Sequence, residues 1–179
     1  MSIRLRIQSK GLSTRIKHNG ALNTMVQISD GGPVDWLQEY DFSEEEIRSV
    51  VAGMQEMSAI DGDVDPQELE LIAQVAEGIE GDVALDLSVF TTPESKEHFL
   101  YLVTFVAIVD TTINDAEHRL LTQYAEALDI PQNAQYFIDA VGERFLRTVF
   151  ADSELLRIWI PRLKDELRLS DEVVERLLS

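Results

Sequence analysis

The side chains of this sequence best placed to do chemistry are carboxylates in two short turns. The first reads Ile60-Asp61-Gly62-Asp63-Val64-Asp65-Pro66-Gln67-Glu68; a weaker copy reads Val109-Asp110-Thr111-Thr112-Ile113-Asn114-Asp115-Ala116-Glu117. A shift of 49 positions lays Asp61 on Asp110, Val64 on Ile113, Asp65 on Asn114 and Glu68 on Glu117. Carboxylate oxygens are the ligands of hard divalent cations, calcium and magnesium above all. Where one helix ends and the next begins at a short turn, residues on either side of the turn share a corner. Asp61, Asp65 and Glu68 are therefore expected to be neighbours, and so are Asp110, Asp115 and Glu117. Two such hairpins packed side by side in the same sense bring both corners to one end of a bundle. Their pooled carboxylates then repel one another until a cation relieves them.

Two other readings bear on these residues. Asp61, Asp63 and Asp65 alternate as at the opening of an EF-hand loop, but that loop needs glycine at position six and a bidentate glutamate at twelve. Those positions hold Pro66 and Ile72, which excludes it. Helix capping is the stronger competitor. Asp65 with Glu68, and Asn114 with Glu117, have capping-box spacing, worth about 1 kcal/mol with no ligand at all. Asp61 and Asp110 are different, because an acid at a helix C-terminus opposes the helix dipole. Either a turn-forming hydrogen bond or a cation accounts for them. Asp63 is expected to be solvated.

Other chemistry finds no footing. There is no cysteine, so thiol nucleophiles, thiolate metal sites and disulfides are absent. His18, His98 and His118 lack zinc spacing. His118 follows Glu117 and is a possible ligand, but a surface helix position is its commoner role. Met54 and Met57 read as core. No phosphate loop, nucleophile elbow or Ser/His/Asp arrangement occurs, and Trp36 and Trp159 alone do not make a sugar cleft. An enzyme is not expected, nor an organic cofactor.

The elements that must hold these corners are helices. Ser43 with Glu46 caps a helix lined by Val50, Val51, Met54 and Met57 and running to about Ile60. Asp65-Pro66 opens the next, with a stripe of Leu69, Ile72, Val75, Ala76 and Ile79. Gly78 and Gly81 loosen its end, and Val83 to Phe90 reads as either a short helix or a turn. Thr92-Pro93-Glu94 starts the second copy, whose first helix, about Pro93 to Val109, is apolar on most sides and so central. Asn114 caps a helix to about Leu128, Pro131 opens one through about Phe150, and Asp152 or Ser153 starts one that Pro161 should kink or split. Ser170 caps a last helix bearing Val173, Val174, Leu177 and Leu178. The sum is an all-α bundle of about seven or eight helices built on two pseudo-symmetric hairpins.

Charge is uneven along the chain. The net charge of −18 over 179 residues includes 15 acids against the single Lys96 between positions 49 and 118. Nucleic acid is excluded as a partner of this body, since phosphates would be repelled. A basic protein surface suits it. Residues 1–29 instead carry Arg4, Arg6, Lys10, Arg15 and Lys17 and no acid. Ile3, Leu5 and Ile7 alternate as in a strand, and Asn19-Gly20 is a hairpin turn signal. Asp30-Gly31-Gly32-Pro33 then breaks the chain, which gives a basic arm or hairpin over 1–33 and a helical domain over 34–179. The arm has the charge to fold back on the acidic body or to touch anionic lipid. Such a basic start also suits a targeting segment, though it lacks the apolar middle of a secretory signal. No apolar run reaches the length of a membrane span.

With their Asp-Gly turn, an apolar residue two positions on and a helix-opening glutamate, the paired turns resemble the TerB-like tellurite-resistance family. The resemblance covers about Phe42 to Ile130 and leaves the arm and the last forty or so residues outside. It implies two pseudo-symmetric helical halves and a non-enzymatic, cytoplasmic role in bacterial tellurite, chemical or phage stress. It also implies divalent metal held by acidic residues, and work near the inner face of the membrane. Asp61 and Asp110 match the family's turn aspartates, and Glu68 and Glu117 its helix-opening glutamates. The second copy departs, with Thr111 in place of glycine and Asn114 in place of an acid.

Overall fold

The computed structural model describes residues 2–4, 13–16, 24–27, 40–62, 64–150 and 153–179. Four short strands, β1 (Ser2–Arg4), β2 (Ser13–Ile16), β3 (Thr24–Gln27) and β4 (Asp41–Ser43), precede seven helices. These are α1 (Glu44–Ala59), α2 (Pro66–Val75), α3 (Pro93–Val109), α4 (Asp115–Ala127), α5 (Ala134–Val149), α6 (Ser153–Glu166) and α7 (Asp171–Leu178). The described chain is an all-α bundle with two small antiparallel ladders at its start.

β2 pairs with β3 from Ser13 opposite Gln27 to Ile16 opposite Thr24, as a hairpin requires. Its connection, which holds Asn19-Gly20, lies outside the described residues, as do Leu5, Ile7 and the break at positions 30–33. The strand at Ile3 pairs with β4, where Ile3 faces Phe42. Sequence alone did not announce β4. Phe42 is fully buried, and Ser43 ends the strand and caps α1 with both bonds of a capping box.

The 49-residue repeat is visible in the capping bonds. Ser43 caps α1 as Thr92 caps α3, and Asp65 caps α2 as Asn114 caps α4. All four close reciprocal capping boxes, so each N-cap satisfies backbone donors that a helix start leaves open. The turns match too: Gly62 N–H donates to Ala59 at 3.2 Å and Thr111 N–H to Ile108 at 2.8 Å. Gly62 has φ +82° and Thr111 φ +72°, so the second copy keeps the left-handed turn with a β-branched residue that rarely adopts it.

α3 is central, as its composition predicts. Every residue from Leu102 to Val109 is buried, and the helix packs against α1, α2, α4 and α5. α1 approaches it closely at Gly53, where an added Cβ would stand 2.7 Å from the Phe99 ring. α5 then packs on α3 and α4, and the connection from α6 to α7 reaches the turn between those two helices at Ile113 and Asp115.

Two boundaries differ from the sequence reading, one open stretch is settled and one expected split is absent. α2 stops at Val75, where the chain turns through Ala76 and reaches Gly78 at φ +83°. The Val83 to Phe90 stretch holds one 3-10 turn, Leu87–Val89, tied to α1 because Ser49 Oγ donates to the Asp86 carbonyl at 2.8 Å and accepts from Asp86 N–H at 2.7 Å. α5 opens at Asn133 rather than Pro131, since the Asn133 side chain accepts the Tyr136 N–H at 3.0 Å. Pro161 does not split α6; it sits on the exposed side of one continuous helix.

Candidate functional site

The two acidic corners meet. Asn114 Nδ2, at the start of α4, donates to Asp61 Oδ2, at the end of α1, over 2.8 Å. The orientation of that amide is fixed, because Asn114 Oδ1 accepts from Ala116 N–H at 2.7 Å and Glu117 N–H at 3.0 Å. Sequence reading counted Asn114 as a departure from the acidic pattern. Its amide is the donor that lets a carboxylate from the other hairpin sit beside it. The signal was present in the type of residue: an N-cap amide has a free donor where an N-cap acid has none.

Beneath this bridge lie Glu68 and Glu117, each only 4% exposed. Helix formation places both at the third position of their helices, turned back to accept from the N-cap backbone. Glu68 Oε2 accepts from Asp65 N–H at 3.1 Å and Glu117 Oε2 from Asn114 N–H at 2.8 Å. Burial pushes Glu68 up to about 7, against the pull of the Asp65 backbone and Ser58 bonds, and the charges of Asp110 and Asp65 push it further. Burial pushes Glu117 to about 8, helped by the charges of Asp110, Glu68 and Asp61. The copies differ in one side-chain bond. Ser58 Oγ donates to Glu68 at 2.9 Å, whereas the matching position beside Glu117 is Ala107.

Asp110 caps α3 and accepts the Thr112 N–H at 2.8 Å, the turn-forming bond that such a residue can make. Asp65 accepts the Gln67 N–H at 2.8 Å. Asp115 is held elsewhere: its carboxylate pairs with Arg168 from the α6–α7 connection, which draws its titration below the usual range. Of the six candidate ligands, Asp61, Glu68, Asp110 and Glu117 share one electrostatic neighbourhood with Asp65 at its edge, and Asp115 stands apart with its arginine. Asp63 lies outside the described residues. His118 belongs to α4 and is partly exposed.

An all-oxygen donor set of carboxylates and one amide fits a calcium- or magnesium-like ion in chemistry. It is not closed as a ligand cage: among the described residues no three His, Asp or Glu side chains are arranged to hold an ion together. Glu68 and Glu117 each spend one oxygen on a capping bond, and Asp61 spends one on Asn114. Among the described residues, no helix is long and apolar enough to cross a membrane. Compared with known proteins, the chain matches no family model, no curated protein and no solved structure.

Proposed function

We propose that the chain is a non-enzymatic, TerB-like protein of the bacterial tellurite or chemical stress response, and that it takes a divalent cation where its two acidic corners meet. One asymmetry carries the cation part of this reading. The Asp61–Asn114 bond joins the turn of the first hairpin to the N-cap of the second. Its counterpart under the 49-residue repeat would join Asp110 to Asp65, two carboxylates that both press on Glu68. Two anions repel each other there where an amide and an anion attract, and a bound cation would relieve that repulsion. Asp110, Asp65 and Glu68 are then the principal ligands, and the ion must draw them together, since among the described residues no three carboxylates yet share a site; water completes the shell, with Glu117 close by. Binding requires Glu68 to lose its proton, so it strengthens as pH rises through about 7.

Calorimetric titration with calcium chloride, and separately with magnesium chloride, tests the reading at pH 8. The wild-type chain binds at millimolar concentration or below, and Asp110→Asn with Asp65→Asn removes the heat. Wild-type titrations flat for both ions defeat it. The second reading is an acidic module that docks a basic protein surface and uses these carboxylates only as caps. It is favoured by the capping bonds that Asp65, Glu68 and Glu117 already make. Partner capture that falls with salt and ignores chelator is its mark. The stress role, a cytoplasmic place and any peripheral membrane association rest on the resemblance and on the basic arm.

A further inference from the structure

The two corners are alike in sequence and unlike in cover. At the second, Val109 is 0% and Ile113 3% exposed. Their counterparts 49 positions earlier, Ile60 and Val64, are each 40% exposed, and Leu69 in the first turn of α2 is 54% exposed. What hides the second corner is the connection from α6 to α7. Ile113 N–H donates to the Glu166 carbonyl at 2.8 Å, Arg168 Nε donates back to the Ile113 carbonyl at 2.9 Å, and the Arg168 guanidinium pairs with Asp115. Leu167 and Leu169 on either side of that arginine are buried.

We propose that Ile60, Val64 and Leu69 form a docking site for a basic segment of another protein, seated on the first corner as the α6–α7 connection sits on the second. The fitting segment ends a helix, offers an apolar side chain to Ile60 and Val64, and follows it with an arginine or lysine. Charge selects the basic residue. Asp61, Asp65 and Glu70 flank Ile60, Val64 and Leu69 along the chain, and Lys96 is the sole Lys or Arg between positions 49 and 118. The second copy shows how such a segment is gripped, by main-chain bonds at the turn and a leucine on each side; its rim ion pair uses Asp115, whose counterpart is Pro66, so on the first corner the basic residue must turn to Asp65 or Glu70 instead. The three apolar side chains are not among the proposed cation ligands but Asp65 is, so the docking is tested in chelator, where it is expected whether or not the corners take a cation.

The test is an NMR titration of the full-length chain with a synthetic peptide copying residues 160–170, the net-basic part of the segment already used on the second corner. Expected are salt-sensitive shifts at Ile60, Val64 and Leu69, with a dissociation constant of about 1 mM or tighter. They persist in chelator. They vanish in the Val64→Glu, Leu69→Glu double variant, whose exposed positions leave the fold intact, and with a peptide carrying glutamate at the Arg168 position. Absence of shifts at saturating peptide overturns the proposal. So do shifts confined to Ile113 and Asp115, which would mean exchange with the chain's own connection. Sedimentation that reveals self-association abolished by the same double variant also overturns it, by assigning the patch to a second copy.

Discussion

Asn114 is the residue on which the meeting of the corners turns. Replacing it by aspartate keeps an N-cap acceptor but sets a carboxylate against Asp61, where an amide now donates over 2.8 Å. Asn114→Asp is expected to cost about 0.5–1.5 kcal/mol in chelator, the net worth of one hydrogen bond, since this one is exposed to solvent. Thermal unfolding checks this, with calcium expected to restore much of the loss. Glu117→Gln runs the other way. Glutamine keeps the capping box and removes a charge that burial disfavours. The sign follows from the raised titration: the folded state holds its proton where the unfolded chain has let it go. The stability contributed by that proton is full below the unfolded value near 4.5 and is lost as pH rises through about 8. The wild-type chain in chelator should therefore melt progressively lower between pH 5 and pH 8.5. Glu117→Gln should melt higher than wild type at pH 8.5 and alike at pH 4.5, and no such divergence would mean that Glu117 is an ordinary solvated acid. The capping role of these glutamates was legible from spacing alone. Their burial was not, because it depends on the other hairpin closing over them. Nor was the Arg168 that takes Asp115 away, since it lies 53 positions further on.

Among the elements, α1 and α3 set how the hairpins lie. They lie close at Gly53, where an added Cβ would stand 2.7 Å from the Phe99 ring, so Gly53→Ala must push the helices apart or turn a fully buried ring. Overpacking of this kind costs about 1–3 kcal/mol. Denaturant unfolding should show it, and a change within about 0.5 kcal/mol would mean that the helices slide freely. α3 also carries Thr104, fully buried with no hydrogen-bond partner for Oγ1 among the described residues. Thr104→Val should stabilise by about 1 kcal/mol, since it removes an unpaired hydroxyl at nearly constant volume. The repeat, the four capping boxes and the central place of α3 follow from period and cap chemistry, which are local. The start of α5 did not, because Asn133 outcompetes Pro131 as a cap through a bond to Tyr136. The β1–β4 ladder did not either. It joins segments about forty residues apart whose pairing no local pattern encodes.

At the scale of the whole molecule, duplication followed by unequal cover explains most of what is seen. The first hairpin keeps its apolar corner open to solvent; the second has its corner sealed by the C-terminal helices. Between them lies the pooled negative charge, in a chain of net charge −18. High salt should raise the melting temperature of the cation-free chain by screening that repulsion, and should do so less once calcium is present. The central claim is that the meeting corners hold a divalent ion, and a high-resolution electron-density map from crystals grown with calcium tests it most directly. The account predicts a peak at about 2.3–2.6 Å from oxygens of Asp65, Glu68 and Asp110, the usual calcium–oxygen range. A clear map with no ion there, and with the same carboxylates bonded only to backbone, would contradict it.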